Sequence, residues 1–291
     1  MSENNWGRWG SDDEAGALNL VTSEVTRLAC SLVRTGRIVV LGQPLGPGTV
    51  VPTHRKRIER FMVRDGGDYA AGARTRGGFQ FAEDVVSFAA HSGTHIDALS
   101  HAWYDDQIYN GYPASGVRST TGAQKCGAEQ LHPIVTRGVL LDVAAIVDEP
   151  LSAGAPINTA HLVAATRNAG VELRPGDVVL VRTGWYGSVG DREDEYLDGE
   201  PGIDLGAAHW LATAGVSVVG ADNLAIEVMP FLDDVWFPVH QFLLRDQGIP
   251  LIEGMVLDEL AKAEASEFLF IASPLPLVGS TAGPVCPLAV L

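Results

Sequence analysis

Asp177-Val-Val-Leu-Val-Arg182 is an apolar run closed at each end by charge, and Gly138-Val-Leu-Leu-Asp-Val143 and Val216-Ser-Val-Val-Gly220 repeat the pattern before and after it. A strand with one wet face alternates apolar and polar residues, whereas near-continuous β-branched runs are buried on both faces, as in parallel sheets covered by helices. Residues 158–168 and 207–214 read as such helices. Arg37 to Leu41 is short and β-branched, and Phe268-Leu-Phe-Ile-Ala272 reads as a last strand before a Gly/Pro-rich tail. Upstream, Thr22-Ser23-Glu24 can cap a helix in which Val25, Leu28, Ala29, Leu32 and Val33 recur at helical spacing, with Gly36 as its stop. Residues 42–78 are rich in Gly and Pro and contain the alternating Arg60-Phe-Met-Val-Arg64, which predicts short strands joined by loops and no helix. No repeat, low-complexity tract or long linker divides the chain. The expectation is an α/β fold with an at least partly parallel sheet, as a single domain over residues 1–291.

With 291 residues, 46% of them hydrophobic and 19% charged, the chain has ample material for a core. Its formal charge of −16 opposes binding to nucleic acid or to an anionic membrane, both of which need a basic patch. The densest basic stretch, His54-Arg55-Lys56-Arg57 with Arg60, is interrupted by Ile58 and Glu59 and reads as a solvated strand or loop edge. The polar start, Met-Ser-Glu-Asn-Asn-Trp, lacks the order of a secretory signal, and no run approaches the roughly 18 apolar residues of a membrane span. A cytoplasmic, soluble protein is expected. Cys30, Cys126 and Cys286 are odd in number and far apart, so they are read as reduced and mostly buried.

The chemistry concentrates in His91-Ser-Gly-Thr-His95-Ile-Asp97-Ala-Leu-Ser-His101, which holds three of the eight histidines and a carboxylate within eleven residues. Imidazole plus carboxylate suits Zn²⁺, Mn²⁺ or Fe²⁺, and three protein ligands, His91, His95 and Asp97, leave room for water. Gly93 and Thr94 are poor helix formers, so a turn is expected to bring His91 and His95 together. His95 and Asp97, two apart, would share one face of an extended segment. His101 could be a fourth ligand or a general base or acid; the second role is favoured, since its ordinary pKa lies near neutrality.

These residues resemble the HxGTHxDxPxH signature of the cyclase-like metal-dependent hydrolases, the family of bacterial kynurenine formamidase and isatin hydrolase, with Leu99 where the signature has Pro. The likeness continues through Arg137 to Asp142, Gly176 to Trp185, Gly220 to Glu227, His240 to Leu244, Ile252 to Gly254 and Gly279 to Pro287. It implies a mixed β-sheet with flanking helices, of swivelling β/α/β type, and assembly as a homodimer or homotetramer. It also implies that His91, His95 and Asp97 hold a divalent metal, Zn²⁺ or Mn²⁺, and that His240 and Glu253 complete a second site in the formamidase branch.

The function expected is hydrolysis of an amide, lactam, lactone or N-formyl bond in a small molecule by a metal-activated water, with His101 moving protons. The absence of a GxSxG nucleophile elbow agrees with this. Trp6, Trp9, Trp103, Tyr104, Trp185 and Phe237 could wall an aromatic pocket, and Trp103 and Trp185 are the expected substrate contacts. Arg182 could meet a substrate carboxylate or an internal acid such as Asp177, and Glu227 is a candidate to support a ligand. The alternatives are a metal-dependent cyclase, dehydratase or isomerase, and a metal-binding protein without catalysis.

Overall fold

A computed structural model describes residues 4–232 and 234–291. Nine strands form one mixed sheet: β1 (Ile38–Val40), β4 (His95–Asp97), β5 (Ile134–Asp142), β6 (Val178–Arg182), β7 (Val218–Ala221), β8 (Leu251–Glu253), β9 (Glu267–Ala272), β10 (Ala282–Pro284) and β11 (Leu288–Val290). Two further strands, β2 (Glu59–Arg64) and β3 (Glu83–Ser87), make a separate antiparallel ribbon. The sheet order is β1-β11-β9-β5-β6-β7-β8-β4-β10. The central four, β5 to β8, run parallel, and every neighbour outside them is antiparallel.

The apolar runs are buried on both faces for the reason their composition suggests. Val139, Leu141, Val179, Val181, Val219 and Leu251 point into one core. Leu140, Val178, Leu180, Val218 and Ile252 point into the other. The main helices are α1 (Ser23–Cys30), α2 (Gly66–Ala70), α3 (Thr159–Ala169), α4 (Trp185–Val189), α5 (Glu193–Leu197), α6 (Leu205–Ala214) and α7 (Pro238–His240). Leu162 and Ala165 of α3 and Ala207, Ala208 and Leu211 of α6 cover the first face. The second core takes Val39 from β1, Ile96 from β4 and Phe268 and Phe270 from β9, so strands from both halves of the sheet curl around it. A fully buried Leu or Val contributes roughly 1.5–3 kcal/mol, which places most of the stability in these two layers.

Three local expectations change. Helix α1 is capped by Thr22 as predicted but ends at Cys30, well before Gly36; Leu28 and Val33 are exposed, so the pattern behind them has no core to face. Helix α2 interrupts the region expected to lack helix, because Asp65 accepts hydrogen bonds from Gly67 and Asp68 and starts one turn. Cys30 and Cys286 are exposed and only Cys126 is buried. Among the described residues no helix is long and apolar enough to cross a membrane.

Candidate metal centre

The site lies where β7 and β8 end, outside the carboxyl ends of the parallel strands, the usual ligand position in open α/β sheets. β4 runs antiparallel to β8 with His95 opposite Glu253 and Ile96 opposite Ile252. The two-residue period sends Ile96 into the second core and leaves His95 and Asp97 together on the other face. A turn over residues 91–94 brings His91 back to them. Gly93 there has φ +59°, and a Cβ on it would lie 2.4 Å from Leu45 Cδ2, so a side chain at this position would be strained and would have to displace Leu45. Thr94 Oγ1 donates to the Gly254 carbonyl (2.7 Å) and accepts from Gln43 N–H (2.8 Å), tying the turn to the end of β8. Leu99, in place of the signature proline, is fully buried, and the turn that delivers His101 still closes through His101 N–H to the Ala98 carbonyl (2.9 Å).

His240 comes from the far side. Glu227 accepts from the N–H groups of Val239 (3.1 Å) and His240 (2.9 Å) at the start of α7, and from His240 Nδ1 at 2.6 Å. These bonds leave His240 Nε2 aimed at Glu253 Oε1 (3.0 Å) and Asp97 Oδ2 (3.6 Å). His95 is oriented in the same way: its Nδ1 donates to the Gly93 carbonyl (2.9 Å), freeing Nε2 to face Glu253 Oε2 (3.1 Å) and Asp97 Oδ1 (3.6 Å). Fixing one ring nitrogen of an imidazole so that the other presents a lone pair is how proteins prepare histidine ligands. A π-helical turn, Gln241–Asp246, continues from α7 and carries the chain back into the first core.

His91, His95, Asp97, His101, His240 and Glu253 therefore converge, although His240 lies 139 positions beyond the motif's last residue, His101. Two overlapping ligand groups result, His91/Asp97/His101 and His95/Asp97/Glu253, with Asp97 in both. His101 Nδ1 sits 3.0 Å from His91 Nε2, and its Nε2 is 4.0 Å from Asp97 Oδ2. Both oxygens of Asp97 and His95 Nε2 are buried without a hydrogen-bond partner. An unpaired carboxylate at 0% exposure costs on the order of several kcal/mol, and no Lys or Arg reaches it among the described residues. A divalent cation held by these atoms removes that cost, so the donor set fits the metal.

Electrostatics agree. Burial, then the neighbouring His101 and His95, push His91 down to about 2, keeping it neutral. His101 is likewise lowered, by burial foremost. Burial opposes charge on His95 and His240 as well, but the carboxylate of Glu253 beside both, and that of Glu227 bonded to His240, raise both above the ordinary value. Burial pushes Asp97 up. The imidazoles of His95 and His240 therefore hold a proton more readily than a free histidine does.

A cavity of about 890 Å³ opens onto His101, His240 and Glu253. Its other walls include His54 and Arg55, Glu193 and Asp194 of α5, Met229 and Phe237. Of the aromatic residues expected there, only Phe237 is present, and it packs edge-on to His240 at 5.1 Å. Trp103 and Trp185 are not in the wall: Trp103 is an exposed surface ring, and Trp185 is buried against Val189 and Tyr196. Trp6 donates to the Arg245 carbonyl (2.8 Å) and packs on the first core. Arg182 makes an internal ion pair, with Asp142 (3.0 Å) and Asp258 (2.7 Å), while Asp177 pairs with Arg137 (2.7 Å). His54 and Arg55 lie on a loop edge, as the basic run predicts, with His54 exposed and Arg55 half-buried, and both also line the cavity.

Comparison with known proteins places this architecture. The Cyclase family model matches residues 39–228, more than half of the chain, and the chain belongs to that family. It is similar to the kynurenine formamidase of Salinibacter ruber, with 29% identity over 200 residues, 69% of this chain and 76% of the relative. It is also similar to the isatin hydrolase of Roseibium aggregatum, with 28% identity over 221 residues, 72% and 75% of the two chains. A crystal structure described as a novel cyclase covers 99% of both chains at 35% identity and a TM-score of 0.93.

Proposed function

We propose that this protein is a metal-dependent hydrolase that opens an amide, lactam, lactone or N-formyl bond of a small, aromatic or cyclic substrate. The observation that carries the reading is the set of orphaned buried atoms, both oxygens of Asp97 and Nε2 of His95, converging with His91, His240 and Glu253 beneath a cavity. Hydrolase relatives support the reaction class. His91, His95 and Asp97 would hold a Zn²⁺ or Mn²⁺ ion, and His240 and Glu253 would complete a second site. Such an ion supplies Lewis-acid polarisation of a carbonyl and acidifies water.

The chain's own residues do the rest. His101 lines the cavity, and burial holds its pKa below the usual value, so at neutral pH the ring is free to accept a proton. It takes that proton from the attacking water and returns it to the departing nitrogen or oxygen, while the acyl carbon keeps the water oxygen. Glu227 holds His240 and the Gly93 carbonyl holds His95 in their ligand tautomers. Phe237 supplies an apolar wall for a flat substrate. Assembly as a homodimer or homotetramer belongs to the same reading, supported by the exposed apolar residues of the β2–β3 ribbon, Phe61, Val63, Val85 and Val86.

Elemental analysis of the purified protein, paired with hydrolysis assays on an N-formyl arylamine, isatin and a simple lactone before and after chelation, tests the proposal. One or two metals per chain with chelator-sensitive turnover is the expected result. Failure to take up metal on reconstitution would overturn it.

A further inference from the structure

The sheet-borne ligands leave one wall of the cavity unexplained. Pro52, Thr53, His54 and Arg55 belong to a loop that precedes the β2–β3 ribbon and contributes nothing to the ligand set, yet all four line the cavity. Among the described lining residues Arg55 is the sole Lys or Arg. Its Nη1 donates to the His91 carbonyl at 2.5 Å, which anchors the guanidinium beside the metal centre, and its charge is felt there, helping to push His91 down.

What Arg55 lacks is a carboxylate. Its loop neighbours are paired, Lys56 with Glu59 at 2.8 Å and Arg57 with Glu193 of α5. Arg137, Arg182 and Arg245 each hold one acid or more. On a chain of formal charge −16 acids are in excess, and Glu193 and Asp194 line the same cavity. Even so, no ion pair involving Arg55 forms among the described residues. A guanidinium carries five N–H donors in a planar fork suited to a carboxylate, and one bond to a backbone carbonyl leaves most of that fork unused.

We propose that Arg55 is the anion-recognition group of this cavity and that the natural substrate carries a carboxylate. The claim rests on the hydrolase reading for the word substrate, but the binding site itself does not depend on turnover. The backbone bond to His91 fixes the fork beside the residues that would hold the metal. A carboxylate held there sets the scissile carbonyl of a small aromatic molecule at the ion's end of the cavity, with Phe237 against the ring.

The test is calorimetry on Zn²⁺-loaded protein with two carboxylates, benzoate and anthranilate, and their uncharged amides, benzamide and anthranilamide. Wild type should bind each acid at least tenfold more tightly than its amide. Arg55→Met should lose that preference with unchanged metal content and melting temperature, and Arg55→Lys should recover part of it. Equal acid affinity in wild type and Arg55→Met would show the ion alone holding the carboxylate and would overturn the proposal. So would failure of wild type to bind either acid. Loss of metal from Arg55→Met would reassign the residue to holding His91 and also defeat the claim. Because binding is read without catalysis, an inactive but carboxylate-selective protein would count against the hydrolase reading alone.

Discussion

The floor and the rim of the cavity are built on opposite plans. The floor is carried by β4, β8 and α7, with His95, Asp97, His240 and Glu253 all buried and each imidazole locked through its second nitrogen. The rim is made of the 52–57 loop, the single turn of α5 and the stretch around Met229 and Phe237. Rigid elements hold reacting groups to a fraction of an ångström, whereas loops exchange residues at little cost to the fold. On the proposed reading, the hydrolytic chemistry therefore belongs to the floor, and the choice of substrate to the rim.

Asp97→Asn strikes the floor hardest, since it removes the carboxylate common to both ligand groups. Metal analysis should show the ion gone and assays should show turnover at background; a loaded, active variant would collapse the distinction. His101→Ala comes next. Metal content should stay at the wild-type level while kcat falls by ~10²–10⁴-fold, the usual worth of a general acid–base group. Normal turnover would remove His101 from the mechanism. Glu227→Gln disturbs only the orientation of His240, and competition with a chelator should show metal affinity weakened by ~10–100-fold.

The fourth expectation concerns protons. A histidine whose folded pKa is raised contributes stability that is fully present below its ordinary value and lost as pH rises through the raised one. His95 and His240 are both of this kind in the metal-free protein. Thermal melts in EDTA should thus show stability declining as pH rises above about 6.5, while the metal-loaded protein should gain on the EDTA form over the same range. Calorimetric metal titrations at pH 7 in buffers of different ionisation enthalpy should detect proton release. Parallel melting curves with and without EDTA would contradict this. The smallest effect is expected at the rim: Phe237→Leu should raise KM by a few-fold, consistent with ~0.5–1.5 kcal/mol for an aromatic contact, with kcat and metal content unchanged. Trp185→Phe, outside the cavity, should leave KM alone.

Legibility followed the same division. The central strands could be read because parallel strands buried on two faces cannot afford polar residues, and His95 and Asp97 because a two-residue period puts them on one side. Their nearness to His240 and Glu253 has no local signal; only the resemblance linked them, and the sheet order explains it by laying β4 beside β8. Glu227 was legible as a weak candidate and gains a role because α7 starts on its carboxylate. Arg55 sits on the loop edge that the basic run predicts, but composition does not tell which arginine of a solvated run also faces a cavity. Trp103 and Trp185 were misplaced because position in the chain beside a motif is not position beside its side chains. Helix α1 stopped early where amphipathic spacing continued beyond any surface to pack on.

Gly254 follows Glu253 with φ +60°, and a Cβ there would stand 2.8 Å from the carbonyl oxygen of Gly93, just as one on Gly93 would strike Leu45. The two glycines line the seam between the motif turn and β8, Gly254 against the backbone of Gly93 and Gly93 against the side chain of Leu45. In laboratory evolution this makes the seam the costliest place to change: a library can rewrite the rim for new substrates, whereas a side chain at Gly254 meets backbone that no neighbouring substitution can trim, and one at Gly93 needs both a left-handed backbone and a shorter residue at Leu45.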